Sequence, residues 1–285
     1  MDRRQKLKFI SSSSQLRQTK ELIEKITQKK EFSNLPKKDV ELAFEKFDKK
    51  NLNDYQKLKL TRQFLRKVYS SFTSRKLLNV KDMEPEYVLN KHKSTKERFD
   101  YYEEIYERVL KDIVGEDTSI IDLGAGVNGF SYGFFNTLKD TGTSNEERNK
   151  KINYVGVEAV GQLVELMNYF FKKRKIKGKA FHLSLFELDE IKKLIKKQKK
   201  PRVVFLFKVI DSLEVIERNY SKKLLKEIVP LVDLVVLSFA TRSLGKRSKF
   251  SAQRSWIKKF IEENFKILED FEIGGERYFS FRKAS

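Results

Sequence analysis

Residues 119–129 read SIIDLGAGVNG, an apolar run that ends in a glycine-rich turn. The apolar part has the length and composition of a buried strand. Glycines after such a strand let the backbone turn tightly into the next helix and approach a ligand closely. The stretch therefore predicts a strand, a turn and a helix with a small-molecule site at the turn. A G-x-G pair alone does not define such a site, because many turns carry one.

The residues around and after this turn alternate between strand-like and helix-like patterns. Helical periodicity covers Gly161–Lys173 and Leu188–Lys197. Such alternation predicts a mainly parallel sheet with helices on both faces. The predicted strands are Ser119–Leu123, Asn153–Val157, Ala180–Leu183, Val203–Phe207 and Leu234–Phe239.

The last strand-like segments form a different pattern. Lys266–Ile273 and Arg277–Arg282 are separated by Gly274–Gly275, which predicts a β-hairpin. A parallel sheet that ends in such a hairpin is typical of Rossmann-like methyltransferases rather than of dinucleotide dehydrogenases.

An acidic residue follows the second predicted strand. Glu158 comes 32 residues after Gly126, where a carboxylate can accept both ribose hydroxyls of a nucleoside. The alternative is an acid at a helix N-terminus. The turn lacks the G-x-G-x-x-G pattern and leaves too little space for a pyrophosphate, which favours S-adenosylmethionine over NAD. At the next strand end, Ser184 can hydrogen-bond an adenine, and Leu185 or Phe186 can cover its face; ordinary loop packing is the alternative.

Composition limits the classes of site and compartment. The chain has 285 residues, no cysteine and two histidines, which excludes disulfides, thiolate metal sites and cysteine nucleophiles and argues against a histidine-based metal cluster. No apolar run approaches the roughly 20 residues that cross a bilayer. The first residues, MDRRQKLKFI, lack the apolar core of a signal peptide. We therefore expect a cytoplasmic protein without a membrane partner.

Positive charge is concentrated in the first third of the chain. The net charge is +21, and residues 1–90 carry 22 basic and 12 acidic side chains. Helical patterns follow Ser14 and Pro36, and a third covers Lys57–Lys76, which contains seven basic residues and no acidic one. On this third helix Lys59, Arg62 and Arg66 share one face. RNA backbone contact is the functional interpretation and a solvated helix face is the alternative.

Two further segments carry a specific resemblance. Residues 92–99 read HKSTKERF and residues 238–249 read SFATRSLGKRSK. They resemble the H-x-S-T-x-E-R-L and S-F-P-[TI]-[KR]-S-L-x-G-R segments of the 16S rRNA (guanine-N7)-methyltransferases of the aminoglycoside-resistance type. The resemblance covers roughly residues 55–265 and identifies the chain as a distant member.

The resemblance implies a role for each matching residue. Arg98 would pair with the methionine carboxylate of the cofactor, with His92 ordering its loop. The cofactor turn would comprise Gly124, Ala125, Gly126 and Asn128, and Glu158 would hold the ribose. The residues expected to face rRNA near the target are Lys208, Arg242, Arg247 and Lys249.

The sequence departs from the family pattern at four positions. Gly129 and Ala240 replace prolines, Ser184 replaces an aspartate in the adenine loop, and Phe250 stands where the family has Gly-Met. Methylation of guanine N7 needs no general base, because this nitrogen carries a lone pair and no proton, so no catalytic acid or base is expected. The alternatives are a tRNA or adenine-N1 rRNA methyltransferase and a non-catalytic RNA-binding protein.

We therefore predict an α/β fold, a Rossmann-like S-adenosylmethionine-dependent methyltransferase sheet with a C-terminal β-hairpin, preceded by an α-helical N-terminal region. Residues 1–90 are expected to form the RNA-binding region and residues 91–285 the methyltransferase domain. The expected partner is RNA, as small-subunit rRNA or the assembled subunit, bound by a monomer.

Overall fold

The computed structural model describes residues 17–48, 50–70, 83–113, 117–137, 152–241 and 254–284. The chain forms two compact units, Met1–Ser71 (unit 1) and Phe72–Ser285 (unit 2). The sequence placed this boundary after residue 90. The earlier boundary follows from the helix Pro85–Lys91, because its Val88 and Leu89 are fully buried in the apolar core of unit 2.

Unit 1 is helical, as predicted. Its helices are α1 (residues 17–27), α2 (Lys37–Asp48) and α3 (Asp54–Leu65), and α3 continues into a π-helical turn, Arg66–Ser70. A capping box fixes the start of α3, because the side chain of Asn53 accepts from Gln56 N at 2.9 Å and the side chain of Gln56 accepts from Asn53 N at 3.1 Å. The helices enclose a small apolar core that includes Ile26, Phe32, Val40, Phe44 and Leu65.

Unit 2 combines a seven-stranded sheet with helices. The helices are α4 (Pro85–Lys91), α5 (Lys93–Arg98), α6 (Tyr102–Leu110), α7 (Gly161–Lys173), α8 (Leu188–Lys196), α9 (Ile210–Ile216), α10 (Tyr220–Ile228) and α11 (Ser255–Asn264). The strands are β1 (Ser119–Leu123), β2 (Asn153–Glu158), β3 (Gly178–His182), β4 (Arg202–Phe207), β5 (Leu234–Ala240), β6 (Phe265–Ile273) and β7 (Glu276–Lys283).

The strand order confirms the predicted fold class. The order is β3-β2-β1-β4-β5-β7-β6, with β1 to β5 parallel and β7 antiparallel to both β5 and β6. The chain leaves β1 in one direction towards β2 and β3 and later returns on its other side as β4. Ligands of open α/β sheets bind at this switch point, outside the carboxyl ends of the strands.

The core of unit 2 is rich in aromatic rings. Tyr106 of α6 stacks on Phe135 and Phe205, with ring centroids 4.5 and 5.8 Å apart. These contacts join α6 to β4 and to the 3₁₀ segment Asn128–Thr137, which follows the glycine turn. The core thus holds the helices before the sheet against the turn after β1. No helix among the described residues is long and apolar enough to span a bilayer.

Candidate active site

The turn after β1 requires glycine at two positions. Gly124 and Gly126 have φ angles of +78° and +55°, which side chains with a Cβ rarely adopt. A Cβ on Gly124 would lie 2.6 Å from Val209 Cγ2, and one on Gly126 would lie 2.8 Å from His92 Cε1. The backbone N–H groups of Gly124 and Ala125 both donate to Val157 O, at 2.9 and 3.0 Å. The turn is therefore held tightly against the end of β2.

Glu158, the last residue of β2, reaches this turn with its carboxylate. Gly126 N donates to Oε2 at 2.8 Å, and Val160 N, one residue before α7, donates to Oε1 at 2.9 Å. The acid therefore orders the glycine turn and also lies at the start of a helix. Each carboxylate oxygen can accept more than one hydrogen bond, so these contacts are compatible with ribose binding.

The segment of residues 92–99 meets the turn through Arg98. Its Nη1 donates to Asn128 Oδ1 at 3.0 Å, its Nε donates to Glu276 Oε2 at 3.3 Å and its Nη2 donates to Ser94 Oγ. The guanidinium also lies 4.8 Å from the ring centroid of Phe207. The Arg98 side chain is only 3% exposed, so its charge is buried and compensated within the protein.

Glu276 is the acid that compensates this charge. This first residue of β7 is buried, and its carboxylate also pairs with Lys208 Nζ at 2.8 Å and accepts from Ser238 Oγ. Burial alone would raise the pKa of Glu276, but the charges of Arg98 and Lys208 outweigh it and hold that pKa below its ordinary value. The carboxylate thus ties α5 to the ends of β4, β5 and β7.

Lys208, which was expected to face rRNA, has its side chain inside the protein in this structure. Its side chain is 7% exposed and its ammonium lies between Glu276 and Glu97, to which it also donates. The backbone of Lys208 is left-handed, with a φ of +56°, and its N donates to Ser238 O at 3.1 Å. Of the two adjacent residues Glu97 and Arg98, the first therefore pairs with Lys208 and the second pairs with Glu276.

Asn128 connects the turn to the core. Its Oδ1 accepts from Tyr102 OH at 2.7 Å in addition to Arg98, and its Nδ2 donates to Asp122 Oδ2 at 2.7 Å. Asp122 also accepts from Tyr154 OH at 2.5 Å, and burial raises its pKa. The side chain of Asn128 therefore points into the protein and positions the turn and Arg98.

His92 lies beside the same turn. Its ring contacts the position where a Cβ of Gly126 would lie, and it is 6% exposed. Burial, followed by the charges of Arg98 and Lys208, lowers its pKa to about 3. The imidazole is therefore neutral at physiological pH.

The two residues predicted to contact adenine, Ser184 and Leu185, differ in their surroundings. Leu185 Cδ1 is 3.8 Å from the place that a Cβ on Gly124 would take, so Leu185 adjoins the glycine turn. Ser184 is fully buried, and its hydroxyl accepts from Phe186 N at 3.0 Å. The structure thus brings Leu185 to the turn and gives Ser184 a role in ordering its own loop.

The remaining predicted RNA contacts fall into two groups. Arg242, Arg247 and Lys249 lie outside the described residues, as does Phe250. In unit 1, Lys59 is exposed, whereas Arg62 Nη2 donates to Lys25 O at 2.6 Å and Arg66 Nε donates to Glu31 Oε2 at 3.0 Å.

Sequence reasoning assigned no role to three central members of this site, Asp122, Tyr102 and Glu276. Asp122 could have been recognised from the sequence, since a carboxylate inside an otherwise apolar strand indicates a buried polar contact. No sequence pattern indicated Glu276, because it is 178 residues away from its partner Arg98 along the chain.

Comparison with known proteins relates this geometry to a family. Residues 80–263 match the family model of the ribosomal RNA methyltransferase FmrO. A 16S rRNA (guanine(1405)-N(7))-methyltransferase from Proteus mirabilis is 24% identical over 204 residues, which are 67% of this chain and 63% of that protein. The match therefore spans somewhat less than two thirds of that relative.

Solved structures share the fold at low sequence identity. The 16S rRNA methyltransferase RmtF, crystallised with S-adenosyl-L-homocysteine, superposes with a TM-score of 0.74 at 16% identity, covering 93% of this chain and 98% of RmtF. The 16S rRNA methylase RmtB gives a TM-score of 0.71 at 14% identity, with the same coverage. An rRNA methylase from Escherichia coli also gives 0.71, at 16% identity, over 93% of this chain and 100% of the methylase.

Proposed function

The chain belongs to the FmrO family of ribosomal RNA methyltransferases, and from this premise we propose that it methylates N7 of a guanine in small-subunit (16S) rRNA with S-adenosylmethionine as the methyl donor. The observation that carries the proposal is the hydrogen bond of 3.0 Å between Arg98 and Asn128. It joins the segment of residues 92–99 to the glycine turn at the switch point of the sheet.

The residues around the turn have the chemistry that this cofactor requires. An acid at the end of β2, Glu158, would hold the ribose hydroxyls, and the glycine turn would allow close approach of the backbone. Leu185, beside the turn, would cover the adenine. Arg98, bonded to Asn128 of the turn, would donate a further N–H group to the methionine carboxylate. When bound, S-adenosylmethionine supplies an electrophilic methyl group on its sulfonium.

The protein's contribution to the reaction is positioning. Guanine N7 is a nucleophile without a proton, so no side chain has to remove one. The task of the site is to hold N7 in line with the methyl group and to exclude water. The buried network suits this task, because its central residues Arg98, Asn128 and Glu276 are each fixed by at least two partners. We further propose that the protein acts as a monomer in the cytoplasm, where small ribosomal subunits are found.

The product identifies the reaction. We expect labelled methyl groups to enter 16S rRNA of small ribosomal subunits, and borohydride followed by aniline to cut the RNA at the labelled nucleotide, since this treatment cleaves at 7-methylguanosine. Free 16S rRNA and tRNA are incubated in parallel. Labelled 16S rRNA that resists cleavage would contradict the N7 assignment, and labelling of tRNA alone would contradict the substrate.

Cofactor affinity tests the two charged residues. Glu158→Ala and Arg98→Ala should each weaken binding of S-adenosylmethionine more than tenfold, or roughly 1.4 kcal/mol, because each removes a charge-assisted contact. Isothermal titration measures this loss, and a melting curve shows that each variant is folded. The exposed Glu263, on α11, gives the control Glu263→Ala, which should bind as the wild type does. Wild-type affinity in folded Glu158→Ala would remove the ribose assignment.

A further inference from the structure

Among the described residues of unit 1, Tyr55 is the large hydrophobic side chain that is exposed. Tyr55, in the first turn of α3, is 71% exposed, whereas Phe32 and Phe44 of the same unit are 1% and 0% exposed. The capping box at Asn53 and Gln56 fixes the turn that carries it. The ring is therefore presented to solvent from an ordered helix rather than from a flexible loop.

Tyr55 lies on the same stripe of α3 as the basic residues. Tyr55, Lys59 and Arg62 are spaced i, i+4 and i+7, which places them one above another on a helix. The segment from Tyr55 to Lys67 contains no acidic residue. An exposed ring thus forms the first position of a positively charged stripe.

Within this stripe Lys59 is the cation that remains available. It is exposed and takes part in none of the ion pairs found among the described residues of unit 1. Arg62 and Arg66 are turned towards Lys25 and Glu31. The available ring and the available ammonium are therefore neighbours, one helical turn apart.

We propose that Tyr55 stacks on an unpaired base of small-subunit rRNA while Lys59 contacts the adjacent phosphate. An aromatic ring next to a cation matches an unpaired nucleotide, which offers a flat π face beside a negative charge. A paired duplex hides its base faces and offers phosphates alone. The choice of 16S rRNA rests on the proposed function, whereas the stacking contact itself depends on neither cofactor nor methyl transfer.

Salt dependence separates stacking from charge. Removing a phosphate contact lowers the slope of log K against log salt by about 0.7–0.9, whereas removing a stack leaves that slope unchanged. We expect Tyr55→Ala to weaken binding of 16S rRNA, and of an unpaired oligoribonucleotide of about 12 residues, by about 5- to 150-fold at unchanged slope. Tyr55→Phe should bind within about twofold of wild type, because the ring is retained. Lys59→Ala should reduce the slope.

The matched controls are a second tyrosine and a second RNA. Tyr169 of α7 is 40% exposed, and Tyr169→Ala should leave RNA affinity unchanged. The duplex form of the oligoribonucleotide should bind wild type and Tyr55→Ala equally. Melting curves and titration with S-adenosylmethionine should be unaltered in Tyr55→Ala. A loss of RNA affinity is thereby distinguished from a loss of folding or of cofactor binding.

Three results would overturn the proposal. The first is unchanged affinity of Tyr55→Ala for every RNA. The second is an equal loss on duplex and unpaired RNA with a reduced slope, which would mean a phosphate contact. The third is a loss on assembled subunits but not on protein-free 16S rRNA, which would mean that Tyr55 contacts a ribosomal protein.

Discussion

At the scale of single residues, the charges of the site are compensated within the protein. Arg98 and Lys208 are both nearly buried, and the carboxylate of Glu276 lies between them. Breaking a buried ion pair on one side leaves the other charge in a medium that solvates it poorly. The acid is therefore as important to the site as the two cations.

Replacement of this acid should be costly. Glu276→Ala should lower the free energy of unfolding by about 3–5 kcal/mol, because two buried cations lose their shared partner. Glu276→Gln keeps the volume and should cost less. Chemical denaturation measures both, with the exposed Glu263→Ala as the control, which should change stability by no more than about 0.5 kcal/mol. A loss below about 1 kcal/mol in Glu276→Ala would contradict the pairing.

The same residues mark how far the sequence could predict the site. Gly126 and Glu158 were predicted because local patterns, a glycine turn and an acid at a strand end, determine their positions, and the structure joins them by a hydrogen bond. The inward turn of Lys208 depends on two acids that are distant in sequence, Glu97 and Glu276. A local pattern carries no information about such partners, so the side chain was expected at the surface.

At the scale of elements, the glycine turn is the junction of β1, β2 and the loop before α5. Gly126→Ala would place a methyl group against the ring of His92 in a left-handed backbone conformation. We expect this variant to lose at least tenfold in affinity for S-adenosylmethionine and also to lose stability, because the turn must shift.

The control lies in the following 3₁₀ segment. A Cβ on Gly133 would meet nothing within 4 Å. Gly133→Ala should therefore bind the cofactor and melt as the wild type does. Titration and melting curves of the two variants, measured side by side, test the turn; equal behaviour of both would show that Gly126 tolerates a side chain.

Elements were predicted well where burial is complete. β1 has the predicted bounds, and all five of its residues are buried. β3 was predicted from Ala180 to Leu183 but runs from Gly178 to His182. The difference arises because β3 is an edge strand with a half-exposed start, where Gly178 and Lys179 pair through the backbone and carry no apolar signal.

At the scale of the whole molecule, stability should depend on pH through His92. Its pKa is about 3 in the folded protein and about 6.5 when unfolded, so the unfolded chain binds a proton that the folded one does not. The stabilisation is present above pH 6.5 and is lost progressively as the pH falls towards 3. Between pH 7.5 and pH 5.5 we expect a loss of about 1.4 kcal/mol.

The comparison with His92→Gln isolates this contribution. The raised pKa of Asp122 acts in the opposite sense, because its protonation favours the folded state. The difference in unfolding free energy between wild type and variant, measured by denaturation at pH 7.5 and pH 5.5, removes that effect. A difference that does not change with pH would mean that His92 is not a buried neutral imidazole.

The ion pair between Arg98 and Glu276 also sets an order of assembly during synthesis. The side-chain contacts of unit 1 given above join residues within 17–70, which a ribosome synthesises early. Arg98 is synthesised 178 residues before its counterion, Glu276. Because domains fold as their sequence emerges, the helical unit is complete while the cofactor pocket still lacks its central acid. The rRNA contact proposed for unit 1 would therefore be complete before the proposed methyl-transfer site.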